Sequence, residues 1–270
     1  MLPFKKWIQK LKRVDKQDEP NFIKSFNEDN AYDGVNHNEH WNKFKLEADY
    51  QVEVVDRLLE DQGFLCAYCE IDIYRRDGVG GIQDIGVEHF HPKSSFKDNI
   101  AWVTKWSNLL AVCLGGSNSA VHDPDVRYGA PDLTCDKIKA NAILDSAILN
   151  PLHVPGAPLL FKVSRTSGEL GVNAEACAIA GIDAELAQCT ISQLNLNADR
   201  LKKARRDTLN DVANALIEQV RRGRSPAEAR QIIAKARLTK SNGRYLRFFT
   251  ACRSYLGKEA EVVLGSLDPH

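Results

Sequence analysis

The strongest constraint on this chain is Cys66-Ala67-Tyr68-Cys69, a C-x-x-C in which one tight turn brings two thiolates to a single ion. Zinc takes four ligands in a tetrahedron, so such a pair needs two further donors from elsewhere in the chain. Cys113 and Cys135 are the best placed, because they bracket the far side of a histidine-containing segment. Between them, Gly115-Gly116-Ser117-Asn118 and Asp123-Pro124 read as an inserted loop that returns the chain to the metal. Seven cysteines make an odd number for a disulfide framework, and in a reducing compartment a C-x-x-C points to metal or redox chemistry. The redox alternative needs a βαβ context that the flanking residues lack. Cys177, Cys189 and Cys252 sit in apolar helical patterns and are expected to be buried, unreactive thiols.

Three textures follow one another along the chain. Residues 1–62 read as a helical segment, with a helix from about Asn38 to Gln62 that places Phe44, Val52, Val55 and Leu59 near one face and closes at Gly63. Residues 63–158 are rich in Gly, Cys, His and Asn, with short apolar runs and many turn signals, as expected of a small irregular core that a metal holds together. Residues 159–270 read as mainly helical. Leu209, Val212, Leu216 and Val220 recur at helical spacing up to Gly223, Ser225-Pro226-Ala227-Glu228 is a capping box, and a last helix is expected over Arg244 to Leu256. The predicted class is α+β, mainly helical.

Val87-Glu88-His89-Phe90-His91-Pro92-Lys93-Ser94 joins a carboxylate to an imidazole. Phosphodiester hydrolysis needs a divalent ion on the phosphate and a base for water. A neutral histidine suits the second task, and a hard carboxylate holding magnesium or manganese suits the first. Adjacent strand residues face opposite ways, so Glu88 and His89 share a site only where the strand breaks, and Pro92 supplies a break. Asp136 directly follows the presumed zinc ligand Cys135, which would fix it as a second ligand of the catalytic ion; an N-cap role competes. Glu88 could instead pair with Lys93. By alternation His91 falls on the face of His89, near phosphate or metal, and Lys93 could touch a phosphate. His37, His40, His122 and His153 carry no such signal, and Trp102 and Trp106 read as core.

The ordered runs CAYCE, VEHFHPKS, WSNLLAVC and CDKIKAN, followed by ILNPLH, LLFKVSRTSGEL and TISQLNLNADRLKKAR, resemble the HNH (ββα-metal) endonucleases. Within that family the chain is similar to the nuclease subunit of Septu-type and retron-associated anti-phage systems. The resemblance spans about Trp41 to Arg206. It implies a small zinc-stapled ββα-metal core flanked by N- and C-terminal helices. In that core His89 would be the general base, and Glu88 and Asp136 ligands of the catalytic Mg²⁺ or Mn²⁺. Asn108 would orient the imidazole through a hydrogen bond, and Cys66, Cys69, Cys113 and Cys135 would hold a structural zinc. Asp136 stands where the family usually has Asn or His, and the insertion before Cys135 departs from the compact pattern. An ABC/SMC-like ATPase partner is also implied; the chain itself has no P-loop.

Charge adds support at the level of partners. The formal net charge is +0, but from Leu201 to Lys258 fifteen Lys or Arg face four Asp or Glu. Such a stretch suits nucleic acid or the acidic face of a protein partner, or is an ordinary solvated helical surface. Hydrolysis at a ββα-metal site needs no 2′-hydroxyl, so DNA is the favoured polymer and RNA the alternative. No apolar run is long enough to span a bilayer. The mixed first twenty residues read as an amphipathic helix rather than a secretory signal, so a cytoplasmic location is expected.

Overall fold

A computed structural model describes residues 16–73, 84–95, 101–121 and 123–266. The amphipathic N-terminal helix expected over the first residues and His122 fall outside them. The described chain is a mixed α+β fold dominated by helices. In chain order, α1 (Asn21–Asp29), α2 (His37–Leu46), a π-helical turn (Tyr50–Asp56) and α3 (Arg57–Asp61) come first. Next are β1 (Gly86–His89), a 3-10 turn (Trp106–Asn108), β2 (Leu109–Val112), α4 (Pro124–Arg127) and α5 (Asp136–Lys139). A second hairpin, β3 (Phe161–Val163) with β4 (Leu170–Val172), leads into α6 (Ala174–Ala180), α7 (Ala184–Gln193), α8 (Asp199–Arg221), α9 (Pro226–Leu238), α10 (Phe249–Leu256) and α11 (Lys258–Ser266).

β1 and β2 pair antiparallel, with Glu88 opposite Leu110 and His89 opposite Leu109. β2 is buried along its whole length, which its uninterrupted apolar run allows. Gln62, at the end of α3, grips the middle of this strand. Its side chain donates to the carbonyl of Ala111 at 2.7 Å and accepts from the Ala111 N–H at 2.8 Å. In front of the hairpin stand α1 and α2, whose buried Ile23, Phe26, Trp41 and Phe44 follow i, i+3 spacing on each helix. One core cluster runs from these helices through the hairpin to Leu201, Ala204 and Leu209 of α8.

The helix expected over 38–62 is not continuous. It ends at Leu46 and resumes as a π-helical turn, whose wider period buries Tyr50, Val54 and Val55. Val52, expected on the apolar face, is 61% exposed. Gly63 closes the segment at φ +59, where an added Cβ would also strike the ring of Tyr245. The last predicted helix begins at Phe249 rather than Arg244. Phe248 is left-handed (φ 58), its N–H donates to the Glu70 carbonyl, and the Glu70 carboxylate accepts from the N–H and hydroxyl of Thr250. Cys177 and Cys252 are buried as expected, whereas Cys189 is exposed. On α7 the buried positions are Ala187, Thr190 and Ile191, and Cys189 points to the other side. Trp106 is core, but Trp102 is only half-buried.

The expected insertion is built as a loop pinned by ion pairs of the buried Arg127. Arg127 of α4 reaches Asp84 at 2.7 Å and Asp72 at 3.0 Å. Asp84 in turn accepts from the N–H of Leu114 at 2.7 Å. The chain thereby returns to Cys135 beside its starting point at Cys113.

Candidate active site

The four cysteines converge. Their Sγ atoms all lie within 4.8 Å of one another, with Cys69 to Cys113 at 3.7 Å and Cys135 at 4.0 Å from both Cys66 and Cys113. A tetrahedron of sulfurs about 2.3 Å from a central zinc has edges of about 3.8 Å, whereas a disulfide would need about 2.05 Å. All four are buried. Crowding by Cys135, Cys66 and Cys69, with burial added, holds the Cys113 thiol well above its ordinary value. Four thiolates can coexist in such a space only around a cation, so the donor set fits zinc. Cys66 and Cys69 come from the turn after α3, Cys113 from the end of β2, and Cys135 from the residue before α5.

The knuckle is joined directly to Glu88. Tyr68, between the two leading cysteines, donates its hydroxyl to Glu88 Oε1 at 3.3 Å. Lys139, whose side chain is fully buried, places Nζ 2.7 Å from the same oxygen and 3.0 Å from the His89 carbonyl. Asp136, one turn earlier on α5, also meets the Glu88 carboxyl through a hydrogen bond. Burial, then Asp136, pushes Glu88 up to about 8, with Lys139 opposing. Glu88 and Asp136 are therefore brought together, α5 delivering both Asp136 and a compensating ammonium. The N-cap position of α5 is held by Cys135, and Asp136 is the first residue inside the helix.

His89 closes β1 and sits against the edge of Trp41, ring centroids 4.5 Å apart and planes at 76°. Its Nε2 lies 2.9 Å from the carbonyl of Val103. A carbonyl can only accept, so Nε2 carries the proton and Nδ1 keeps its lone pair. Burial lowers this imidazole to about 4, leaving it neutral at physiological pH. Asn108, expected to orient the imidazole or else simply to bond a turn, bonds backbone and not the ring. Its Oδ1 accepts from the His91 N–H at 2.7 Å, and its Nδ2 donates to the carbonyls of His91 (2.8 Å) and Trp102 (2.9 Å). It thus ties both ends of the loop between the strands, and Val103, next to Trp102, supplies the carbonyl that meets His89.

His91 lies beyond the end of β1, so strand alternation no longer applies. Its Nδ1 is 2.7 Å from Asp145 and its ring packs 4.4 Å from Trp102. Lys93 is half-buried. Its ammonium is lowered by burial and by Lys45 at the end of α2, and is held up by Asp136. Tyr68 and Trp41 carry no signal that marks them from sequence, and Lys139, which closes the Cys135-Asp136-x-x-Lys run of the resemblance, has no role assigned to it there. A lysine on a short helix reads as solvated, and only the folded chain shows Lys139 sealed against Glu88.

No family model matches the chain. It is similar to a protein of Escherichia coli described as "Retron Ec83 putative HNH endonuclease", with 35% identity over 228 residues, covering 77% of this chain and 83% of that one. At that identity and coverage, the chain belongs to the HNH endonuclease family in which this retron protein stands.

Proposed function

We propose that this nuclease is a metal-dependent DNA endonuclease acting as the effector of an anti-phage complex, built on a ββα-metal core stapled by zinc. The observation that carries the reading is the convergence of Glu88, Asp136 and Lys139 beside a neutral His89 whose Nδ1 is unprotonated. Two acids in hydrogen-bond contact form an oxygen donor set suited to Mg²⁺ or Mn²⁺. The bound ion would supply Lewis-acid stabilisation of the phosphate and the leaving oxygen. His89 Nδ1 takes a proton from water, while the Val103 carbonyl keeps the ring in the tautomer that can do so. Lys139 balances part of the acidic charge, and Tyr68 holds Glu88 in register with the zinc knuckle. Lys93, with Lys45 nearby, offers cations for a phosphate, and the basic stretch from Leu201 to Lys258 suits the rest of a polyanion. The ATPase partner implied by the motif resemblance would handle nucleotide, since the chain carries no P-loop.

His89→Ala is expected to lower cleavage of plasmid DNA by at least about 100-fold with zinc content unchanged. Single-stranded DNA and transfer RNA assayed in parallel identify the polymer. A variant that cuts at the parental rate removes His89 as the base.

A further inference from the structure

Asp136 is held by more than the thiol cluster. The preceding residue, Cys135, has φ 57 and ψ −134, a conformation that side chains other than glycine's avoid and that persists only when its surroundings enforce it. Those surroundings are the corner between α7 and α8. The Cys135 N–H donates to the Leu194 carbonyl at 2.9 Å. Asn195 Nδ2 donates to the carbonyl of Leu133 at 2.9 Å and to Asp132 at 2.7 Å. Arg200, in the first turn of α8 and 8% exposed, donates Nη2 to the hydroxyl of the fully buried Thr134 at 2.5 Å and Nη1 to the Val126 carbonyl at 2.9 Å. Three consecutive residues before Asp136 are each gripped by this corner.

The inserted loop is shaped to admit that guanidinium. A Cβ on Gly116 would lie 3.1 Å from Arg200 Nε, and one on Gly129 would lie 2.6 Å from its Cδ and 2.8 Å from its Nε. Gly116 and Gly129 therefore form a slot that only a residue without a side chain leaves open, and Arg200 fills it. The Gly129 N–H donates to the Gly116 carbonyl at 3.1 Å and closes the slot.

We propose that Arg200 is a positioning residue for the second acid of the site: inserted through the glycine slot, it clamps Thr134 and so sets where Cys135 presents Asp136 to Glu88. The α7–α8 corner is then part of the active-site scaffold, and the inserted loop is the part through which it acts. This rests on the reading of Glu88 and Asp136 as ligands of a divalent ion.

The test measures Mn²⁺ binding to the full zinc-loaded chain by calorimetry, alongside zinc content and cleavage. Arg200→Ala is expected to weaken Mn²⁺ binding roughly 10–100-fold, as loss of a supporting partner does at metal sites, with zinc content retained. Arg200→Lys, which can reach one acceptor but not both, should fall between. Gly129→Ala keeps the charge but crowds the side chain, and should weaken Mn²⁺ binding in the same direction. If Arg200 acts through Asp136, its removal adds nothing in an Asp136→Asn background. An equal loss in both backgrounds, or unchanged binding in all three variants, overturns the proposal. Should Glu88→Gln and Asp136→Asn both leave Mn²⁺ binding intact, the divalent-ion reading fails and takes this inference with it.

Discussion

Glu88 and His89 are neighbours in the chain whose protons respond to burial in opposite directions. Burial and Asp136 raise the carboxyl to about 8 from an ordinary 4.5. The folded, metal-free protein therefore binds more protons than the unfolded chain across that interval, and this stabilisation fades as pH rises toward 8. Burial lowers His89 from 6.5 to about 4, so its contribution is present above 6.5 and lost as pH falls through 4. A divalent ion replaces the Glu88 proton. The half-saturating Mn²⁺ concentration is accordingly expected to drop as pH rises from about 6 to about 8, and Glu88→Gln should flatten that dependence in calorimetric titrations. Lys139→Met takes the buried ammonium from Glu88 and the His89 carbonyl, leaving the Tyr68 hydroxyl on Glu88. Breaking a buried pair costs roughly 3–5 kcal/mol; the lower end is expected in urea unfolding, because Glu88 can take up a proton.

Among the elements, α9 is the one whose start is written plainly in sequence. Ser225 Oγ accepts from the Glu228 N–H at 3.3 Å, the Glu228 carboxylate accepts from the Ser225 N–H at 2.9 Å, and Pro226 occupies the first turn. Each of these bonds is local, so spacing alone reveals them. Ser225→Ala is expected to cost about 1 kcal/mol, seen as a lowered melting temperature with cleavage unaffected. The segment from His37 to Asp61 behaves otherwise. Its π-helical turn arises where Tyr50, Val54 and Val55 pack into the core, and a tertiary demand of that kind overrides a helical period read along the chain. The same holds for α10, where the carboxylate of Glu70, far away in sequence, delays the start to Phe249.

At the scale of the molecule, the thiol cluster joins α3, β2 and α5, and through Tyr68 it reaches Glu88. Thiolates gathered around an ion contribute folding energy that the apo chain lacks. Chelation of the metal that this cluster would hold, or Cys66→Ser, is expected to remove near-ultraviolet dichroism and cleavage together, while added Mg²⁺ restores neither. The far helices should outlast the knuckle in hydrogen exchange, since α9 to α11 close a separate apolar cluster with Val212 of α8, around Ile233 and Leu256. Among the described residues no helix is long and apolar enough to cross a membrane.

What the amino-acid order determined by itself was the chemistry available. It supplied the C-x-x-C and its two distant cysteines, the Glu88-His89 pair, Asp136 beside Cys135, and the helix caps, because these signals lie in residue type and short spacing. Tertiary structure alone decided which groups meet. The Val103 carbonyl rather than Asn108 accepts the imidazole hydrogen bond, Lys139 is sealed against Glu88, His91 turns to Asp145, and Arg200 threads two glycines to hold Thr134. Each of these contacts joins residues at least ten positions apart, so no local period records it, and burial favours such pairing because an unpaired polar group is costly.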